Sequence, residues 1–142
     1  MELRRLSAGE WLEAWERLPH PCREVYYHPA YVSECARWER ASAHCVLVDD
    51  ADGRMLHPYL AHPIQGTDRH DVQTAYGYGG PIFAGQWRAE RRVAALRLVG
   101  EHLKGHRAVA EFVRCHPGWT DVEALEGRAS RCSGYERTWN AS

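Results

Sequence analysis

Apolar positions recur along the chain in two periods, and the changes between them outline the elements. Ser7-Ala8-Gly9-Glu10 fits a capping box. It predicts a helix that places Trp11, Leu12, Trp15 and Leu18 on one face and stops before Pro19. "HPCREVYYHPAY" reads as a proline-broken extended segment, with a second helix starting near Pro29 and running through "AYVSECARWER". "SAHCVLVDD" and "RMLHPYLAHPI" switch to β-branched, strand-like texture around Asp49–Gly53, a hairpin signature. A third strand is expected in part of "HDVQTAYG". The longest helical pattern, about 87–104, sets Val93, Leu96, Val99 and Leu103 on one side. "RAVAEFVRC" is the best buried strand, and a short helix in "TDVEALEG" and a strand in "GYERTWNA" complete the pattern. This order predicts an α/β (α+β) fold, a mixed, mostly antiparallel sheet flanked by helices.

Length narrows this to one domain, residues 1–142, with room for a real core. No apolar run is long enough to span a bilayer, and the acidic amphipathic start does not resemble a signal peptide. Five cysteines, at 22, 35, 45, 115 and 132, form no CxxC pair and leave one odd, which points to reduced thiols and a cytoplasmic protein. A formal net charge of −1 excludes a strongly basic nucleic-acid binder. Any polyanion contact must come from a local patch. Arg88, Arg91 and Arg92, on the outer faces of the long helix, are the candidates for touching RNA phosphates; the plainer reading is a solvated helix surface.

The candidate chemistry centres on "DVQTAYGYGGPIFAG", residues 71–85. A Walker loop needs Gly-Lys-Ser/Thr after its glycines, and a dinucleotide fingerprint needs a third glycine where Ile82 stands. The acyl-CoA pyrophosphate loop is a near miss between Gln73 and Gly79, one residue too long and followed by Pro81-Ile82-Phe83 instead of a helix. His20/Cys22, His44/Cys45 and Cys115/His116 lack the second pair that a structural zinc site wants, so no metal is expected. On a strand, Cys115 and His116 point to opposite faces and make no nucleophilic pair.

"YHPAYV" (27–32), "LAHPI" (60–64), "DVQTAYGYGGPI" (71–82) and "FVRCHPGW" (112–119) together resemble the FemABX-like family. The similarity runs over about residues 25–120, and the Tyr-Gly-Tyr-Gly-Gly-Pro run is its most specific part. Ala75 and Cys115 depart from the family texture, which has proline and an aromatic residue there. The resemblance implies a GNAT-like domain equivalent to one half of a two-half protein. It also implies transfer of an amino acid from aminoacyl-tRNA onto a free amine of a peptide or peptidyl-nucleoside acceptor, as in cell-wall cross-bridges or peptide-antibiotic assembly. No cofactor beyond the charged tRNA is then expected, and either a homodimer supplies the missing half or the single half is a minimal enzyme that holds only the acceptor end. A compact form is similar to the alanyltransferases of uridyl peptide antibiotic assembly. An acyl-CoA N-acetyltransferase and a non-catalytic substrate-binding or assembly module are the alternatives.

Such a reaction needs positioning, oxyanion stabilisation and a route for the amine proton. Gly77, Gly79 and Gly80 allow close backbone approach, while Tyr76 and Tyr78 offer rings and hydroxyls to a peptide or a base. Tyrosines that merely cap the core are the plain alternative. Arg114, at the end of the strongest strand, suits a bidentate grip on phosphate or carboxylate. His116 is the candidate proton acceptor, with Tyr78 beside it as the second catalytic candidate. His28 and Thr74 complete the expected substrate-binding set, although His28 before Pro29, like His116 before Pro117, also suits a turn, and Thr74 suits anchoring the loop.

Overall fold

The computed structural model describes residues 1–121 and 123–125 and the backbone of 137–140. The elements run β1 (Glu2–Arg5), α1 (Ala8–Glu16), α2 (Pro29–Glu39), β2 (Ser42–Asp50), β3 (Gly53–Pro63), β4 (His70–Gln73), β5 (Ile82–Gly85), α3 (Ala89–Gly105), β6 (Ala108–Val113) and β7 (Arg137–Asn140). The strands form one mixed sheet in the order β1-β2-β3-β4-β6-β7, and only β4 and β6 pair in parallel. The expected α/β class with a mostly antiparallel sheet flanked by helices is what the chain adopts.

Sequence explains most boundaries. Ser7 caps α1 with the reciprocal Glu10 bond, and Pro29 opens α2 behind His28, whose Nδ1 accepts the Ala30 N–H at 3.1 Å. Asp50 pairs with Gly53, so the β2–β3 turn is tighter than the run of acids suggests. The segment expected to be extended between α1 and α2 instead makes two 3₁₀ turns, His20–Cys22 and Val25–Tyr27. Trp11 and Trp15 hold them by donating indole N–H bonds to the Tyr27 and Glu24 carbonyls. Leu12 turns away from the core, and the short strands β1 and β5 were not expected. Of the helix in "TDVEALEG", residues 123–125 are helical behind the Asp121 cap. The rest of that helix and Cys132 lie outside the described residues.

The core has two faces. Val46, Val48, Met55 and Tyr59 pack on Leu96, Val99 and Leu103 of α3, while Leu47, Leu56, Leu60 and Ile82 pack on Trp11, Val32 and Ala36. Register shifts between His70 and Asp71, with Val109 skipped in the pairing. That bulge lets Ala108, Glu111 and Val113 all face inward, against simple alternation.

The free edge of β3 is divided in a way that places the site. Residues 53–56 pair with β5 and residues 60–63 with β4. The Tyr-Gly loop crosses between those two pairings, beyond the carboxyl end of β4 and beside the carboxyl end of β6. Gly79 continues the parallel pairing: its N–H donates to the Arg114 carbonyl at 2.8 Å, and its carbonyl accepts the His116 N–H at 3.1 Å.

Candidate functional site

Hydroxyl bonds reinforce the pairing of the loop with the end of β6 and the turn that follows it. Thr74, buried, accepts the Arg114 N–H at 3.1 Å on its hydroxyl, and the Thr120 hydroxyl donates to the Gly79 carbonyl at 2.9 Å. Thr120 Oγ1 also accepts the His116 N–H at 2.7 Å, and Thr120 N–H returns to the His116 carbonyl at 3.1 Å. Side chains at the glycines would break this closure. A Cβ on Gly79 would meet Thr74 at 2.6 Å, and one on Gly80 would meet Thr120 at 2.9 Å. At Gly77, φ is +92° and a Cβ would strike the Tyr26 ring. The backbone N–H groups of Gly77 and Tyr78 make no hydrogen bond to a described residue.

Around this loop the aromatic side chains form a continuous run. Tyr31 meets Tyr26 edge-to-face at 5.7 Å between centroids, Tyr26 meets Tyr78 at 5.8 Å, and Tyr78 meets His116 at 5.5 Å. His116 stacks on Trp119 at 3.9 Å with the planes 6° apart. The Tyr31 hydroxyl donates to the Tyr76 carbonyl at 2.8 Å, and burial pushes its pKa up to about 12, with Cys35 adding to the shift. Tyr76 itself is 69% exposed and Tyr78 45%, so neither caps the core. Beside them an open groove of about 360 Å³ lies between α2 and Tyr76, lined by Tyr31, Glu34, Cys35, Trp38, Glu39 and Tyr76.

The ring nitrogens of His116 are both engaged. Gly118 N–H donates to Nδ1 at 2.9 Å, which leaves the proton on Nε2, and Nε2 meets Glu24 Oε2 at 3.0 Å. Glu24 was not among the residues singled out from sequence. It stands 92 residues from His116 in a segment whose 3₁₀ turns the sequence did not announce. Trp119, by contrast, lay within the quoted "FVRCHPGW" stretch. Two buried polar atoms nearby make no hydrogen bond to a described residue: the Tyr27 hydroxyl and the Trp119 indole N–H. Burial raises the Tyr27 pKa, opposed by Trp119 and Thr120, which approach it without reaching hydrogen-bond geometry.

Arg114 presents the cationic part of the site. Its guanidinium lies over the Tyr76 ring at 5.9 Å and the Phe112 ring at 5.7 Å, and no carboxylate of a described residue pairs with it. The structure thus brings Thr74, Tyr76, Gly77, Tyr78, Gly79, Gly80, Arg114 and His116 together around one loop. His28 caps α2 and packs edge-on against Trp15 at 4.6 Å, away from the loop run. Arg88, Arg91 and Arg92 also stand apart, each on a carboxylate: Asp52 at 2.9 Å, Asp50, and Asp121 at 2.8 Å. The first two tie the start of α3 to the β2–β3 turn. Asp52 also takes the Arg88 N–H at 3.0 Å, acting as the cap that α3 lacks in its own side chains.

No protein-family model and no curated protein matches this chain. Among the described residues, no helix is long and apolar enough to cross a membrane, and no three His, Cys, Asp or Glu side chains group as a metal site.

Proposed function

We propose that this chain is an aminoacyltransferase that moves an amino acid from aminoacyl-tRNA to the free amine of a peptide-like acceptor, forming an amide. The observation that carries the reading is the loop itself. The residues that resemble the FemABX-like motif are built into one open site at the ends of two parallel strands, with an unpaired guanidinium and a His–Glu pair on it. The donor identity rests on that resemblance; the site supports the acyl-transfer chemistry. The amine attacks the ester carbonyl, the ribose oxygen leaves, and the amine proton passes to the leaving oxygen. The unspent amides of Gly77 and Tyr78 suit the developing oxyanion, and Arg114 suits a terminal phosphate or carboxylate. A second copy of the chain would supply the half that FemABX-like proteins have in addition.

One observation favours a non-catalytic binding module instead: His116 has no free nitrogen with which to take a proton. The test uses charged tRNA or acetyl-CoA with a panel of peptide amines, with and without ribonuclease. An amide product abolished by ribonuclease supports the aminoacyltransferase, and Arg114→Ala should then lower kcat/KM by about 10- to 100-fold, the scale of a charge-assisted bond. Product that survives ribonuclease and requires acetyl-CoA overturns the tRNA-dependent reading. No product with either donor favours the binding module.

A further inference from the structure

We propose that Glu24 receives the ammonium group of the acceptor, and that the site selects a primary amine at a peptide terminus flanked by an aromatic or apolar side chain. This rests on the transfer reading for its biological meaning, but binding can be measured without transfer. Three observations on independent elements converge on it.

The first is the carboxylate. Glu24 Oε2 is taken by His116, while Oε1 has no hydrogen bond to a described residue, and the side chain is 36% exposed. An anion held in place with one oxygen open toward solvent fits a cation from outside the chain.

The second is the histidine. With its Nδ1 acceptor filled by Gly118 N–H and its ring clamped flat on Trp119, His116 has one available act, to donate from Nε2 to Glu24. It is a positioning residue that aims the carboxylate. The bound ammonium first gives one proton through the open Glu24 oxygen to solvent, which frees the lone pair that attacks the ester carbonyl. The second proton then passes from the nitrogen to that oxygen and on to the departing ribose oxygen, so the amide keeps one N–H and the ribose leaves as the alcohol.

The third is the wall. Tyr78, Tyr26 and Tyr31 line up edge-to-face from His116 toward the α2 groove, and Tyr78 is 45% exposed, so the run offers aromatic surface to a ligand. Aromatic faces attract ammonium groups and pack apolar side chains, while strongly hydrated anions gain nothing there. Glu34 and Glu39 also line the groove, but Glu34 is paired with Arg37 and Glu39 is bonded to His62 and Gln73, so the open Glu24 oxygen carries the charge recognition.

The experiment titrates the ¹⁵N- and ¹³C-labelled chain with phenylalanyl-glycinamide and, separately, with its N-acetylated form, following the His116 ring, the Tyr78 ring and the Glu24 side-chain carboxyl by NMR. The free amine is expected to shift all three signals, and the acetylated form to shift none. Glu24→Gln should weaken binding by about tenfold or more, as loss of a charge-assisted contact does, and His116→Gln should weaken it less because the carboxylate remains. Equal binding of the acetylated peptide, or undiminished binding by folded Glu24→Gln, overturns the proposal. If Glu24→Gln does not fold, the wild-type titration decides alone: no shift at His116 and Glu24 overturns it. Amine binding without any transfer sinks the aminoacyltransferase reading and leaves this one standing. Transfer that is indifferent to Glu24→Gln does the reverse.

Discussion

Single residues in this chain are chosen by what they touch across long sequence separations. Gly77 shows this most simply. Its φ of +92° and the Tyr26 ring behind it leave no place for a Cβ. Gly77→Ala should cost about 1–3 kcal/mol in urea unfolding, the scale of a strained backbone position. Adding Tyr26→Ala should recover only part of the loss, because the ring is removed but the left-handed backbone stays. Full recovery would mean that the clash, not φ, sets the requirement. The loop glycines were legible in sequence because a glycine-rich run between apolar segments has few other uses. Glu24 was not legible, since nothing local marks a carboxylate whose partner lies 92 residues away. Arg88, Arg91 and Arg92 illustrate the converse. Their helical spacing looks like an exposed basic strip, yet the acids that hold them sit in the β2–β3 turn and beyond α3.

At the scale of elements, periodicity located α1, α2, α3, β2, β3 and β6, and failed where an element is defined by its neighbour. β1 and β5 are four residues each and exist because β2 and half of β3 offer open edges, whereas β4 and β7, equally short, were expected from their sequence. The 3₁₀ turns were hidden by prolines that also suit extended chain, and the Trp11 and Trp15 indoles decided the matter. The bulge at Val109 is the most consequential of these tertiary choices because it turns Glu111 into the core. There Glu111 meets His57 Nε2 of β3 at 2.7 Å, with both side chains almost fully enclosed. The pair joins β3 to β6 on the α3 face. His57→Ala should destabilise the fold by about 1–3 kcal/mol in chemical denaturation, because it removes one buried hydrogen-bond partner of Glu111. His57→Gln, which keeps a donor, should lose less. A loss below about 1 kcal/mol for His57→Ala would show that Glu111 finds compensation elsewhere.

For the whole molecule, the sheet order puts chemistry-bearing groups at the carboxyl ends of β4 and β6 and gathers histidines around a different part of the fold. His44 packs on Tyr59 at 5.4 Å between ring centroids, bonds to Ser42 at 2.8 Å and contacts Arg5. Burial first, and then Arg5 with His70, His102 and His106, pushes its pKa from 6.5 down to about 4. Burial also lowers His70 and His102. These groups stay neutral in the folded chain while the unfolded chain takes up protons. Stability is therefore fully present above pH 6.5 and falls as the pH is lowered through the window from 6.5 to about 4. Asp50 acts in a separate, lower window: Arg91 holds its pKa at about 2, so its contribution is lost only as the pH falls from 3.8 toward 2. A Tm measured across pH 8 to 3 should accordingly be flat at first and then decline below about 6.5, before carboxylates such as Asp50 begin to titrate. His44→Gln, which keeps an acceptor for Arg5 and removes the titrating ring, should make the upper decline shallower and leave the lower one in place. An unchanged profile in that variant would move the acid sensitivity away from His44 and onto His70 and His102, the other two rings that the fold keeps neutral.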